Sequence, residues 1–168
     1  IGMHEWVVSF DLNSLYPNII VQNNMSPETL VRDAMLSPEQ FGKLDLRNQS
    51  ANRDKYMGVS VTANGSMYSH DRQGVMPEII VKYYDERKTT KQAMLAAQRK
   101  YQKEKTKELE REISQLENKQ MAIKILLNSL FGALGNKYYR YFDLRIAEGI
   151  TLHGQFIIKW CERIVNNE

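Results

Sequence analysis

Residues 6–20 read Trp6-Val7-Val8-Ser9-Phe10-Asp11-Leu12-Asn13-Ser14-Leu15-Tyr16-Pro17-Asn18-Ile19-Ile20. Trp6 to Phe10 is β-branched and aromatic between polar residues, which predicts a buried strand. It runs directly into Asp11. Leu15 to Val21 is apolar around Tyr16-Pro17, and proline presets a helical first turn, so a short helix is expected next. A carboxylate at a strand end, followed by a tight turn, suits a hard cation: the strand fixes its direction and the turn exposes backbone amides. Mg²⁺ takes a few carboxylates together with substrate phosphates. The amides from Asn13 to Tyr16 could face such phosphates at the helix start. The same aspartate could equally do no more than cap the helix.

Outward from this stretch, Ser26-Pro27-Glu28 and Ser37-Pro38-Glu39 each read as a helix start: a serine cap, a proline, then an acid facing the positive helix end. Residues 45–57 are polar and irregular, as expected of a surface loop. From Val59 the pattern alternates, with Asn64-Gly65 between Val59/Val61 and Met67/Tyr68, the strongest short signal for a hairpin. A second turn falls at Asp71 to Gly74, and Pro77 closes the sheet region. No glycine or proline lies between Pro77 and Gly132, and the composition there is strongly helical. Leu109, Ile113, Leu116, Ile123, Leu127 and Leu130 recur at steps of three and four, with Gln120 in the missing place, a heptad-like seam. The polar stretch Lys103 to Lys107 is the expected turn between two antiparallel helices. Gly132-Ala133-Leu134-Gly135 is expected to break the second, and Ile146 to Val165 reads as a final helix.

Two pairs of candidate phosphate donors lie on this hairpin. Arg87 and Lys91 are four apart, hence on one helix face, and so are Lys124 and Asn128. With a turn near residue 105, the four levels lie close and could converge on phosphate, arginine gripping two oxygens and lysine acting as a point charge. The charges could also make ordinary pairs with Glu104, Glu108 and Glu112 on a solvated hairpin. The net charge of +3 is unevenly spread: residues 1–81 hold 6 basic and 9 acidic side chains, residues 82–124 hold 12 and 7, and residues 125–168 hold 5 and 4. The positive excess therefore sits on the hairpin, where a local field suits nucleic acid or nucleotide.

Other chemistries are poorly supplied. The single cysteine, Cys161, excludes an internal disulfide or a multi-thiolate zinc site. His4, His70 and His153 are scattered and read as surface or packing residues. No Walker loop or dinucleotide glycine motif is present, so phosphate must rely on helix-borne cations. The methionines read as core filler. Tyr138, Tyr139 and Tyr141, beside Lys137 and Arg140, fit either a nucleic-acid track or a core strand. No apolar run reaches the 18 or so residues of a membrane span, and a soluble cytoplasmic protein is expected. The opening Ile1-Gly2-Met3-His4 reads as an internal position of something longer.

Asp11-Leu12-Asn13-Ser14-Leu15-Tyr16-Pro17-Asn18-Ile19-Ile20 resembles the first palm motif of family B DNA polymerases, D-x-x-S-L-Y-P-S-I-I, departing at Asn18. Lys124-Ile125-Leu126-Leu127-Asn128-Ser129-Leu130-Phe131-Gly132 is similar to that family's fingers motif K-x-x-x-N-S-x-Y-G, departing at Phe131. Gly74-Val75-Met76-Pro77 is similar to its G-x-x-P, and Thr151-x-x-Gly154 to a later palm segment. The wording is closest to the bacteriophage branch. The resemblance implies an α+β fold: a partial palm of strand, turn, helix and β-hairpin over 1–80, a two-helix fingers hairpin over 81–132, and a return to the palm over 133–168.

It also implies DNA-templated DNA synthesis, with Asp11 and Lys124 as catalytic residues. Asp11 and the Leu12 carbonyl would bind two Mg²⁺ ions. Leu12, Ser14, Leu15, Tyr16, Arg87, Lys91, Lys124 and Asn128 would bind the nucleotide, Tyr16 excluding a 2′-hydroxyl. Ser129, Phe131 and Gly132, as a turn, would pack against the nascent base pair. The implied partners are primer–template DNA, a deoxynucleoside triphosphate (dNTP) and, through a longer enzyme, a sliding clamp; no membrane is implied, and the location would be the cytoplasm of an infected bacterium if phage-encoded. The family's second carboxylate site, a D-T-D hairpin, has no match between Gly132 and Glu168. The expectation is thus a fragment, or one subunit of a split enzyme completed by another chain, and inactive alone. The rival from another class is a non-catalytic helical-hairpin module that binds nucleic acid or a protein partner, with its cations dispersed.

Overall fold

The computed structural model describes residues 2–3, 5–7, 9–37, 39–40 and 58–166. Helix α1 spans Leu15–Gln22 and buries Pro17, Ile19 and Ile20. Strand β1 (Leu30–Met35), β2 (Val59–Val61) and β3 (Ser66–Ser69) form an antiparallel sheet in the order β1-β3-β2. Helices α2 (Val75–Lys103) and α3 (Lys107–Leu134) make a long hairpin, and α4 (Leu144–Val165) ends the described chain. One core joins these parts: Ile19, Ile20 and Met25, Tyr68 from the sheet, Ile80, Ile123 and Leu127 from the hairpin, and Ile146 and Ile150 from α4. Helices beside a small antiparallel sheet make an α+β fold, as the sequence predicts.

The β-hairpin forms where Asn64-Gly65 predicts it, in the register Val59↔Ser69, Ser60↔Tyr68 and Val61↔Met67. Gly65 takes φ +84, and a Cβ there would stand 1.9 Å from the carbonyl oxygen of Leu36, so only glycine fits. The Asn64 amide reaches on to the Arg145 carbonyl at 2.8 Å, tying the turn to α4. The helical hairpin also matches expectation. Its turn is Glu104 to Thr106, and Thr106 caps α3 by accepting the Leu109 N–H. Every member of the predicted seam from Leu109 to Leu127, Gln120 included, is less exposed than the residues flanking it, and Leu130 shares its half-buried state with Phe131.

Three expectations are corrected. Trp6, Val7 and Phe10 are in no strand and are exposed, at 97%, 75% and 74%; Val8 lies outside the described residues. A strand exists only through its pairing, and no strand among the described residues runs beside this one. Ser26 to Thr29 is a single turn closed by Leu30 N–H to the Ser26 carbonyl at 3.1 Å, and it leads into β1 rather than a helix. At Ser37 the cap does form: Gln40 N–H donates to Ser37 Oγ and Ser37 N–H to Gln40 Oε1, a reciprocal capping box. Pro38 and the loop expected at 45–57 lie outside the described residues. Last, Ser129 to Gly132 is no turn. The helix runs through it to Leu134, which is fully buried, and stops at Gly135. Glycine inside a helix costs about 1 kcal/mol, less than burying the leucine returns.

Candidate functional site

The site is built on the turn into α1. Ser14 takes the left-handed conformation, φ 53 and ψ 44, which costs a serine of the order of 1–2 kcal/mol. Local hydrogen bonds hold it there. Asn18 N–H donates to the Ser14 carbonyl at 3.0 Å, and the Asn18 amide donates to the Asn13 carbonyl at 3.0 Å. Asn18 is the residue where the motif departs from serine, and here it braces the turn.

Ser14, Leu15, Tyr16 and Pro17 line a cavity of about 370 Å³ whose other wall is Leu127, Asn128 and Phe131 of α3. Two motifs more than a hundred residues apart therefore share one space. The Tyr16 and Phe131 rings meet across it, centroids 4.7 Å apart and planes tilted by 46°, a contact that fixes both rings beyond their burial alone. Of the residues singled out in the sequence, Ser14, Leu15, Tyr16, Asn128 and Phe131 are thus brought together. Ser129 is not: its hydroxyl turns back to the Ile125 carbonyl at 2.8 Å. Gly132 is exposed, and a Cβ there would touch nothing within 4 Å.

The cations lie outside this lining. Lys124 is exposed, one turn before Asn128 on the same face of α3. Arg87 lies on α2, and Lys91 about 6 Å further along the same helix toward the hairpin tip. Arg87 is half-buried on the inward stripe of α2, and its Nε is buried with no hydrogen-bond partner. Among the described residues Arg87, Lys91 and Lys124 join no ion pair, whereas Glu86 of α2 pairs with Lys119 of α3 at 2.9 Å. Asp11 and Leu12 are exposed on the approach to the turn. Among the described residues no three His, Cys, Asp or Glu side chains gather into a metal-holding group.

Two residues beside the site, Asn24 and Glu28, find partners that the sequence did not indicate. The Asn24 amide donates to the carbonyls of Ser69 (2.7 Å) and Arg72 (2.8 Å), and its oxygen accepts the Gly74 N–H at 2.8 Å. Glu28 accepts from Val75 N–H and from Ser26 Oγ, both at 2.6 Å. Together they seat the N-terminus of α2 on the turn after α1. The acid of Ser26-Pro27-Glu28 does serve a helix start, but of a helix far along the chain. Partial burial pulls the Glu28 carboxyl up; the bonds from Ser26 and Val75 and the Arg72 charge outweigh it and hold the group below its usual value. Gly74 permits the approach, since a Cβ there would lie 2.7 Å from Ser26 Cβ.

His153, on α4, is buried beside Phe156, and that burial lowers its pKa, so at neutral pH it is uncharged. It is a packing residue, as expected. The aromatic segment after α3 is not a core strand. Tyr138 is 84% exposed with Lys137 Nζ 5.0 Å above its ring, and Arg140 stands 5.7 Å from the Tyr141 ring. Among the described residues no helix is long and apolar enough to cross a membrane.

Comparison with known proteins bears on this arrangement. The model of "DNA polymerase family B" matches residues 2–168. A DNA-directed DNA polymerase of Escherichia phage RB69 is 37% identical over 97% of the chain, and one of Enterobacteria phage T4 is 33% identical over 96%. The chain spans 22% of the length of each. Among solved structures, a family B DNA polymerase from the archaeon Pyrobaculum calidifontis superposes with a TM-score of 0.64 at 21% identity, over 91% of this chain and 17% of that one. That last likeness is one of fold.

Proposed function

The chain belongs to DNA polymerase family B, and from that membership we propose that it forms the nucleotide-binding part of a DNA-templated DNA polymerase. The observation that carries the reading is the cavity lined jointly by Ser14 to Pro17 and by Leu127, Asn128 and Phe131. In this reading residues 1–80 and 133–168 are palm, and residues 81–132 lie in the fingers. The dNTP sugar stacks on Tyr16, whose ring leaves no room for a 2′-hydroxyl. The β- and γ-phosphates lie against Lys124, Arg87 and Lys91, with Asn128 assisting. Arg87 suits this because its guanidinium joins no ion pair among the described residues and can grip phosphate oxygens in a bidentate manner. Phe131 packs on the nascent base pair. The primer 3′-oxygen forms a new bond to the α-phosphorus as the bond to pyrophosphate breaks, and the cations hold the departing charge.

Two Mg²⁺ ions would supply charge neutralisation at the α-phosphate and activation of the hydroxyl. Asp11 and the Leu12 carbonyl are this chain's contribution to them. One carboxylate and one carbonyl do not satisfy two such ions, so the reading requires further carboxylates, the part the family gives to its D-T-D hairpin, which has no match in this sequence, and makes the isolated chain inactive. Primer–template DNA and the remaining polymerase segments are its partners, and the location is that of the DNA being copied.

The test is equilibrium binding of dATP to the chain. Lys124→Ala should weaken it by about tenfold, the worth of one charge-assisted phosphate contact, while Lys119→Ala leaves it unchanged. Equal effects of the two substitutions would contradict the assignment. Primer extension by the chain alone, abolished by Asp11→Ala, would overturn its incompleteness.

A further inference from the structure

Gly154 sits inside α4 and is buried, where glycine costs about 1 kcal/mol relative to alanine. No left-handed backbone demands it, since the positive-φ glycines are Gly58 and Gly65. Space does. A Cβ at 154 would lie 3.1 Å from Tyr16 Cε1, and 3.6 Å from both Ile19 Cδ1 and Leu15 Cδ2. The last two distances are ordinary van der Waals contact; the first is not. The Tyr16 ring is therefore the one tight neighbour. The other glycines of the region differ. At Gly149 a Cβ would crowd Met25, Asn64 and Thr62, none of which lines the cavity, and at Gly132 it would meet nothing.

We propose that Gly154 sets how far the Tyr16 ring stands out into the cavity, and so sets the stringency of selection against a 2′-hydroxyl. The proposal rests on the reading of Tyr16 as the sugar gate. The ring is in contact with Phe131, 4.7 Å away between centroids, and its Cε1 edge is what a Cβ at 154 would meet. Tyr16 is still 37% exposed, so its free direction is outward. A methyl group at 154 pushes the ring that way by a few tenths of an ångström. That narrows the space which a ribose hydroxyl would need, and an added oxygen is rejected more strongly than the sugar lacking it. Gly154 is thus a positioning residue that acts through Tyr16.

The experiment measures dATP and ATP affinities of the full chain for four forms: unchanged, Gly154→Ala, Tyr16→Ala, and both together, with thermal melts of each. The unchanged chain should prefer dATP, and Tyr16→Ala should abolish the preference. Gly154→Ala should raise the dATP-to-ATP affinity ratio by about threefold or more. In the Tyr16→Ala background the same substitution should leave the ratio unchanged, because its one tight contact is gone. An unaltered ratio in Gly154→Ala, with Tyr16→Ala behaving as stated, would overturn the inference and leave the gate standing. A preference that survives Tyr16→Ala would overturn the gate and the inference with it. If Gly154→Ala fails to fold, folding of the double variant supports the inference, and its failure contradicts it.

Discussion

Phe131 shows what a single missing hydroxyl leaves intact. The family's usual tyrosine would bring a hydrogen-bonding group; the phenylalanine keeps the ring and its tilted contact with Tyr16, without a hydroxyl to donate or accept. His153 is informative in another way. Its buried Nδ1 has no partner, and burial lowers its pKa below the ordinary 6.5. The unfolded chain therefore takes up a proton that the folded chain refuses. Its contribution is fully present above about pH 6.5 and is lost as pH falls through the depressed folded value. Urea titrations between pH 7.5 and 5 should show this slope, and His153→Leu should flatten it. An unchanged slope would assign the pH dependence elsewhere. Of the residues that the two extended motifs point to, Tyr16 and Asn128 line the cavity, while Asp11 and Lys124 are exposed outside its lining. Asn24 and Glu28 were not legible, because their partners at Gly74 and Val75 are supplied by a segment nearly fifty residues away.

Among the elements, the hairpin of α2 and α3 was readable because its rule is local: a glycine-free run, a three-four seam and a polar break. Strand β1 was not. Leu-Val-Arg-Asp-Ala-Met has no alternation, and its pairing is decided by Tyr68 and Ser66 on β3. Trp6, Val7 and Phe10 failed in the opposite sense, having the composition of a strand with no strand among the described residues to pair with. The hairpin also divides by depth. Leu127 is 4% exposed and belongs to both the core and the cavity wall, while Leu116 is half-buried nearer the tip. Leu127→Ala should cost about 2–5 kcal/mol in denaturant unfolding, and Leu116→Ala about 1 kcal/mol or less. Equal costs would mean that the base of the hairpin is not anchored in the common core.

At the scale of the molecule, the sequence predicted an α+β chain with its positive charge on the hairpin, and the structure agrees. What the sequence could not supply was convergence. Ser14 to Pro17 and Leu127 to Phe131 meet because α1 packs between the hairpin and α4, a consequence of tertiary packing that no local pattern encodes. That meeting point is the centre of the account, and backbone amide shifts in a titration with dATP test it directly. The amides of 14–16 and of 124–131 should shift together, saturating with a single Kd, and ATP should produce the same map more weakly. Shifts confined to one segment, or spread over the basic residues of the hairpin tip, would contradict it.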